Sequence, residues 1–394
     1  MIAAMLPLVQ FGVDRVIEKV PAALRRGRVG MVTSNVATTA TGGPSRAALR
    51  DAGVNLVRLF GPEHGLAGTA ADGAKVSDDL DPLTGLPVVS LYGKSLRPTR
   101  EALEDLDAIV YDIPDVGARF YTYIWTLSHV MEAAAEAGKP VYVLDRPNPI
   151  GGELSAVEGP GLDEENCSSF VGRWDIPVRY SLTIGELARL WNFEKKIGCE
   201  LHVVECSGWR REMHWPETGL PFVKMSPAMT SYETALFYPG TCLIEGTTLS
   251  EGRGTDGPFR MIGAPWVDGD AVADAMNALK FPGLKVRATE FVPAGRKYAG
   301  EKCRGVMLET TDAKSLRPVA VGLHLIAALI RLHRKDFQWL PYPTAANEKG
   351  HQHFDRLIGR MYVRTMLDCG EERIAEWTGA PGWADRARRH LLYE

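Results

Sequence analysis

Along the first 210 residues the apolar positions alternate between two patterns. Residues 28–33, 55–60, 86–91, 108–113, 141–144 and 201–204 are short runs that are apolar almost throughout. Between them, at 45–52, 98–106, 123–137 and 184–196, apolar residues recur at helical spacing. Strands buried on both faces and separated by amphipathic helices predict an α/β fold with a mostly parallel sheet and helices on both of its faces. In such sheets the ligand crevice lies beyond the carboxyl ends of the strands. The unusual residues of this chain fall at those ends.

The stretch 208–266 lacks periodicity and is rich in Gly, Pro and aromatic residues. It is too long for a passive connector, so it predicts functional loops. Beyond it, 268–279 and 318–332 read as helices, 285–291 and 305–310 as strands, and 354–393 as a charged helical tail. The shift in pattern sets an expected boundary at 264–270, giving a larger domain over 1–266 and a smaller α+β domain over 267–394. The apolar run 319–330 carries His324 and is shorter than the roughly 20 residues that span a bilayer. Residues 1–13 are mostly apolar, but no basic residue precedes them and Asp14 and Arg15 interrupt them, unlike a signal peptide.

Composition narrows the class further. With 394 residues, 45% hydrophobic and 24% charged, the chain has material for a large core and is neither disordered nor fibrous. Forty-five basic against 49 acidic residues leave a formal charge of −4, which disfavours nucleic acid or an anionic membrane as partner. The six cysteines form no C-x-x-C pair, which fits free thiols in a reducing compartment. These features together predict a soluble cytoplasmic protein.

Four segments carry candidate chemistry. Gly61-Pro62-Glu63-His64-Gly65 follows a strand directly and presents a carboxylate and an imidazole in a stiff loop; a structural turn with a solvated Glu63 is the alternative. The segment from Tyr111 to Tyr123 holds Asp115, Arg119, Tyr121 and Tyr123, a mixture of aromatic faces, carboxylate and cation that suits a sugar, or a helix N-terminus capped by Asp115. Asp145-Arg146-Pro147-Asn148-Pro149 is held stiff by its prolines and leads to Glu158-Gly159-Pro160; a purely structural Asp145–Arg146 pair is the alternative. Finally, Glu245, Glu251 and Arg253 sit among glycines that permit close approach of a ligand, or form a network internal to the loop. His351 and His353 hint at a metal, but no third ligand accompanies them. No G-x-x-x-x-G-K-[ST], strand-linked G-x-G-x-x-G or G-x-S-x-G occurs, so neither a nucleotide cofactor nor an α/β-hydrolase is expected.

These motifs, with Thr183-Ile-Gly-Glu-Leu187, Tyr238-Pro-Gly-Thr241, Glu245-Gly-Thr247 and Leu249-Ser-Glu-Gly-Arg-Gly254, resemble the exo-β-N-acetylmuramidase family over nearly the whole chain. The resemblance implies a Rossmann-like catalytic domain and a smaller C-terminal domain with a cleft between them. It also implies release of terminal N-acetylmuramic acid from the non-reducing end of peptidoglycan-derived saccharides, with no cofactor. The chain departs from the family pattern at Val223-Lys-Met-Ser-Pro-Ala-Met229, where Ala228 replaces a polar residue, and at Thr33-Ser34-Asn35.

Glycoside hydrolysis commonly uses two carboxyl groups, and Glu63 and Glu158 are the expected pair because both sit in Gly/Pro-framed loops after separate strands. Glu63 is expected as general acid, tuned by His64, and Glu158 as base or nucleophile; the reverse assignment and attack by the sugar's own acetamido group stay open. Arg119, Arg146 and Arg253 are candidates to grip the lactyl carboxylate, with Tyr121 and Tyr123 against the sugar. Asp115, Asp145, Asn148, Glu245 and Glu251 complete the expected substrate contacts. A non-catalytic amino-sugar-binding protein is the alternative.

Overall fold

The computed structural model describes residues 9–63, 65–66, 79–92, 95–344, 349–371 and 373–394. Two short helices, α1 (Gly12–Glu18) and α2 (Ala22–Arg26), precede the main sheet. Its strands are β1 (Val29–Thr33), β2 (Leu56–Gly61), β3 (Asp79–Leu80), β4 (Pro87–Ser90), β5 (Ala108–Asp112), β6 (Val141–Leu144) and β7 (Leu201–Val204). They lie in the order β3-β4-β2-β1-β5-β6-β7, all parallel except the two-residue edge strand β3. Helices α3 (Ser45–Asp51), α4 (Arg100–Leu103), α5 (Tyr123–Ala137) and α6 (Ile184–Glu194) connect them. Every residue of β1 and β5 is buried, as a sheet covered on both faces requires. The strand order runs outward in opposite directions from β1, so a topological switch point, where such sheets bind ligands, lies between β1 and β5.

Past residue 230 comes α7 (Tyr232–Thr241), then a three-stranded antiparallel sheet of β8 (Met261–Ala264), β9 (Leu284–Phe291) and β10 (Cys303–Thr310) in the order β8-β10-β9. Helix α8 (Gly269–Ala278) packs on β9 and β10, and α9 (Pro318–Leu332) packs on α7 and α8. Four short helices close the chain: α10 (His353–Ile358), α11 (Val363–Asp368), α12 (Ile374–Thr378) and α13 (Trp383–Arg388).

The α/β architecture with a second, smaller sheet is the expected one, but two features were hidden in the pattern. Helix α7 lies inside the stretch read as aperiodic loop. It has no polar face, because nine of its ten residues are buried, and it contains Pro239. Its neighbour Gly240 touches α9 so closely that a Cβ would lie 1.8 Å from the Pro318 carbonyl oxygen. The tail also returns to the first sheet. Tyr393 donates to Asp145 at 2.6 Å, and Trp383 Nε1 donates to the Tyr180 carbonyl at 2.9 Å. Among the described residues, no helix is long and apolar enough to cross a membrane.

Candidate active site

At the carboxyl end of β2 the chain turns sharply. Gly65 N–H donates to the Pro62 carbonyl at 2.9 Å, and Gly65 takes a φ of 70°, a left-handed conformation that favours glycine. The turn holds Glu63, only 8% exposed, in the lining of a cleft of about 840 Å³, its open mouth included. The Thr122 hydroxyl, at the end of the loop after β5, donates to Glu63 Oε2 at 2.5 Å. The loops after β2 and β5 are thereby joined at the carboxylate. His64 lies outside the described residues.

Aromatic rings line much of the cleft: Tyr92, Phe120, Tyr121, Tyr123, Phe170, Tyr238, Phe259 and Tyr342. Tyr121 and Tyr123 meet edge to face at 5.0 Å and both donate to the Met225 carbonyl, at 2.9 and 3.4 Å. Their hydroxyls thus fix the 225–229 turn, which contributes Ser226, Ala228 and Met229 to the cleft. The segment expected to depart from the family pattern therefore borders the cleft.

The later half of the chain supplies further lining. Glu245 accepts from Arg253 Nη2 at 2.6 Å and lies 3.0 Å from His353 Nε2, whose ring stacks on Tyr342. Arg253 Nε also reaches Glu251 at 2.9 Å, and Lys297 lies 3.1 Å from the other Glu251 oxygen. Burial pushes the Glu245 carboxyl up, but the His353 hydrogen bond and the Arg253 charge outweigh it and hold the group below its ordinary value. Glu251 is likewise held down, Lys297 and Arg253 together overcoming its burial. Among the described residues, the cleft therefore presents one anchored carboxylate from the second half of the chain and one carboxyl, Glu63, from the first.

A family model described as the N-terminal part of exo-beta-N-acetylmuramidase NamZ matches residues 29–233, and its C-terminal counterpart matches 236–393. The chain belongs to the exo-beta-N-acetylmuramidase NamZ family. A curated relative, peptidoglycan beta-N-acetylmuramidase NamZ of Bacillus subtilis (strain 168), is 42% identical over 365 residues, 92% of this chain and 85% of the relative. Two solved DUF1343 family proteins of Bacteroides fragilis NCTC 9343 share the fold. One has a TM-score of 0.87 at 32% identity and the other 0.72 at 26%, each match covering 98% of this chain and 99% of the other. Membership in this family makes the chain a glycosidase.

Several residues expected at the site are placed elsewhere. Glu158 is 3% exposed and absent from the cleft; its oxygens accept from Val319 and Ala320 N–H at 3.3 and 3.2 Å, capping α9. Burial pushes its carboxyl up to about 7 despite the nearby Arg179 charge. Arg119 is fully buried, absent from the cleft lining, and gives its two terminal nitrogens to the carbonyls of Pro160, Ile176 and Leu357 at 2.7–2.8 Å. Arg146 pairs with buried Asp112 at 2.7 Å and donates to the Thr38 carbonyl. Asp145 ties the end of β6 to Thr183, Gly185 and Tyr393, not to Arg146's guanidinium. Asn148 bridges the Leu182 carbonyl and the Ile150 N–H, while Asp115 accepts from Gly117 N–H and the Tyr180 hydroxyl. These polar side chains hold loops together and are absent from the cleft lining.

Thr122, Ser169, Ser226, His353 and Arg356 line the cleft without having been anticipated as substrate contacts. For Thr122 a signal existed, its position within the Tyr111–Tyr123 motif. His353 and Arg356 are three residues apart on α10, a spacing that places both on one helical face.

Proposed function

We propose that this chain hydrolyses the glycosidic bond of terminal β-linked N-acetylmuramic acid at the non-reducing end of peptidoglycan-derived saccharides. The observation that carries the reading is that Glu63 and Glu245 both line one aromatic-rich cleft, Glu63 at the carboxyl end of the parallel strand β2. The Bacillus subtilis relative, a peptidoglycan beta-N-acetylmuramidase by name, supports the substrate class.

In this mechanism Glu63 is the general acid. The Thr122 hydroxyl fixes its carboxyl at 2.5 Å in the lining of the cleft. The proton passes from Glu63 to the glycosidic oxygen as the bond from C1 to that oxygen breaks. Glu245, held as an anion by Arg253 and His353, stabilises the oxocarbenium-like charge developing at the sugar and orients either a water or the 2-acetamido group toward C1. A water finally gives hydroxide to C1 and its proton to the carboxylate that acts as base. Glu245 takes the role first expected of Glu158, because Glu158 faces α9.

The test is hydrolysis of a chromogenic β-N-acetylmuramide beside the matching β-N-acetylglucosaminide, with the product anomer followed by proton NMR. Cleavage of the muramide in preference supports the reading. Inversion assigns Glu245 to water, and retention assigns it to the acetamido group or to direct attack. Absence of cleavage by folded protein that still binds the sugar would instead identify a binding protein.

A further inference from the structure

N-acetylmuramic acid differs from N-acetylglucosamine by a lactyl ether that ends in a carboxylate, so a cleft selective for it needs a cation with donors to spare. Among the described residues, the arginines lining the cleft are Arg253 and Arg356. Arg253 is already shared between two carboxylates, Glu245 and Glu251. Arg356 is in a different state. Its Nη1 donates to the Ser168 carbonyl at 3.2 Å, no carboxylate pairs with it among the described residues, and its buried Nε lacks a hydrogen-bond partner. The next residue in the chain, Ser169, also lines the cleft, and its buried Oγ is likewise without a partner. Two unspent buried donors lie on neighbouring pieces of chain, one of them charged. Leaving a buried donor unsatisfied is costly, and an anion bound beside the guanidinium offsets that cost.

We infer that Arg356, with Ser169, is the recognition point for the lactyl carboxylate and so determines specificity for muramic over glucosaminyl substrates. The helix bearing Arg356 is fixed from behind: Arg119 donates to the Leu357 carbonyl at 2.7 Å, and Gly359 packs where a Cβ would meet the Arg119 guanidinium at 2.6 Å. Arg119, first expected to touch the sugar, is thus a positioning residue for the arginine that does. A guanidinium offers a carboxylate two parallel donors, which a lysine cannot reproduce.

This assignment rests on the muramidase reading, and the experiment separates the two. The substrates are a chromogenic β-N-acetylmuramide with a free lactyl carboxylate and the same compound as its methyl ester. Wild type is expected to prefer the acid, chiefly through KM. R356Q is expected to reduce that preference, expressed as the ratio of kcat/KM values, by roughly 10- to 100-fold, the effect of one charge-assisted contact. R356K should restore part of it, and S169A should lower it by roughly tenfold at most. Melting curves check that each variant folds; should R356Q not fold, R356K and S169A carry the same test. Equal losses on acid and ester in the folded variants would overturn the assignment while leaving the muramidase reading intact. A wild type that cleaves neither compound would overturn the reading on which it rests.

Discussion

Glu63 and Glu158 stand in loops of similar make-up, each framed by Gly and Pro. The first opens onto the cleft; the second is shut beneath the N-terminus of α9, 160 residues further along the chain. The difference arises from what packs against each loop. Glu63 meets a hydroxyl from the loop after β5, leaving ligand space beside it. Glu158 meets two backbone N–H groups whose orphan hydrogen bonds and positive dipole end attract an acid. Gly and Pro around an acid therefore report stiffness, while exposure to a ligand depends on a distant part of the chain.

The largest effect expected from this contrast is in E63Q. Loss of a general acid should lower turnover of an oligosaccharide by roughly 10²- to 10⁴-fold. The loss should be smaller for a dinitrophenyl glycoside, whose leaving group needs no proton. Comparing the two substrates by steady-state kinetics checks the role, and equal losses on both would assign Glu63 to something other than protonation. E245Q is expected to come next, with turnover lowered about 10²-fold and a fall in melting temperature, because Arg253 and His353 lose a buried anionic partner. For E158A the balance reverses: a stability loss of about 2–3 kcal/mol from the lost cap, with activity reduced less than about tenfold in the folded fraction. Urea unfolding beside activity assays measures both.

The smallest expected effect is in the pH dependence of stability. Burial raises the folded Glu158 carboxyl to about 7 from an ordinary 4.5, so the native chain retains this proton over a range in which the unfolded chain has lost it. Its contribution is fully present below about 4.5 and is lost as pH rises through 7. Asp115 and Asp145, both raised to about 6 by burial, add slopes of the same sign. E158Q should make the fall in stability between pH 5 and 8 shallower without abolishing it. An unchanged slope in denaturant titrations would mean that Glu158 is already ionised across that range.

Much of the architecture was legible because buried parallel strands and amphipathic helices leave strong periodic signatures. Helices α5 and α9 begin and end where the pattern places them, at Tyr123–Ala137 and Pro318–Leu332. Helix α7 was hidden because burial on all sides erases the polar stripe that reveals a helix. At the site, the Tyr121–Tyr123 and Glu245–Arg253 segments showed in the sequence through unusual concentrations of aromatic or charged residues. What composition could not convey was the destination of each charge. Arg119, Arg253 and Arg356 are alike as residues, but one feeds three carbonyls away from the cleft, one is divided between two carboxylates and one lines the cleft with a single carbonyl as its described partner. That distinction depends on contacts between segments up to 238 positions apart.

The central claim is that of these two similarly framed acids only Glu63 belongs to the chemistry. Its most direct test is to measure turnover of a muramic-acid-terminated oligosaccharide by E63Q and E158Q side by side, with a melting curve for each. The account predicts that E63Q melts close to wild type and is nearly inactive, while E158Q melts differently and retains most of its turnover when folded. A well-folded, inactive E158Q beside an active E63Q would contradict it.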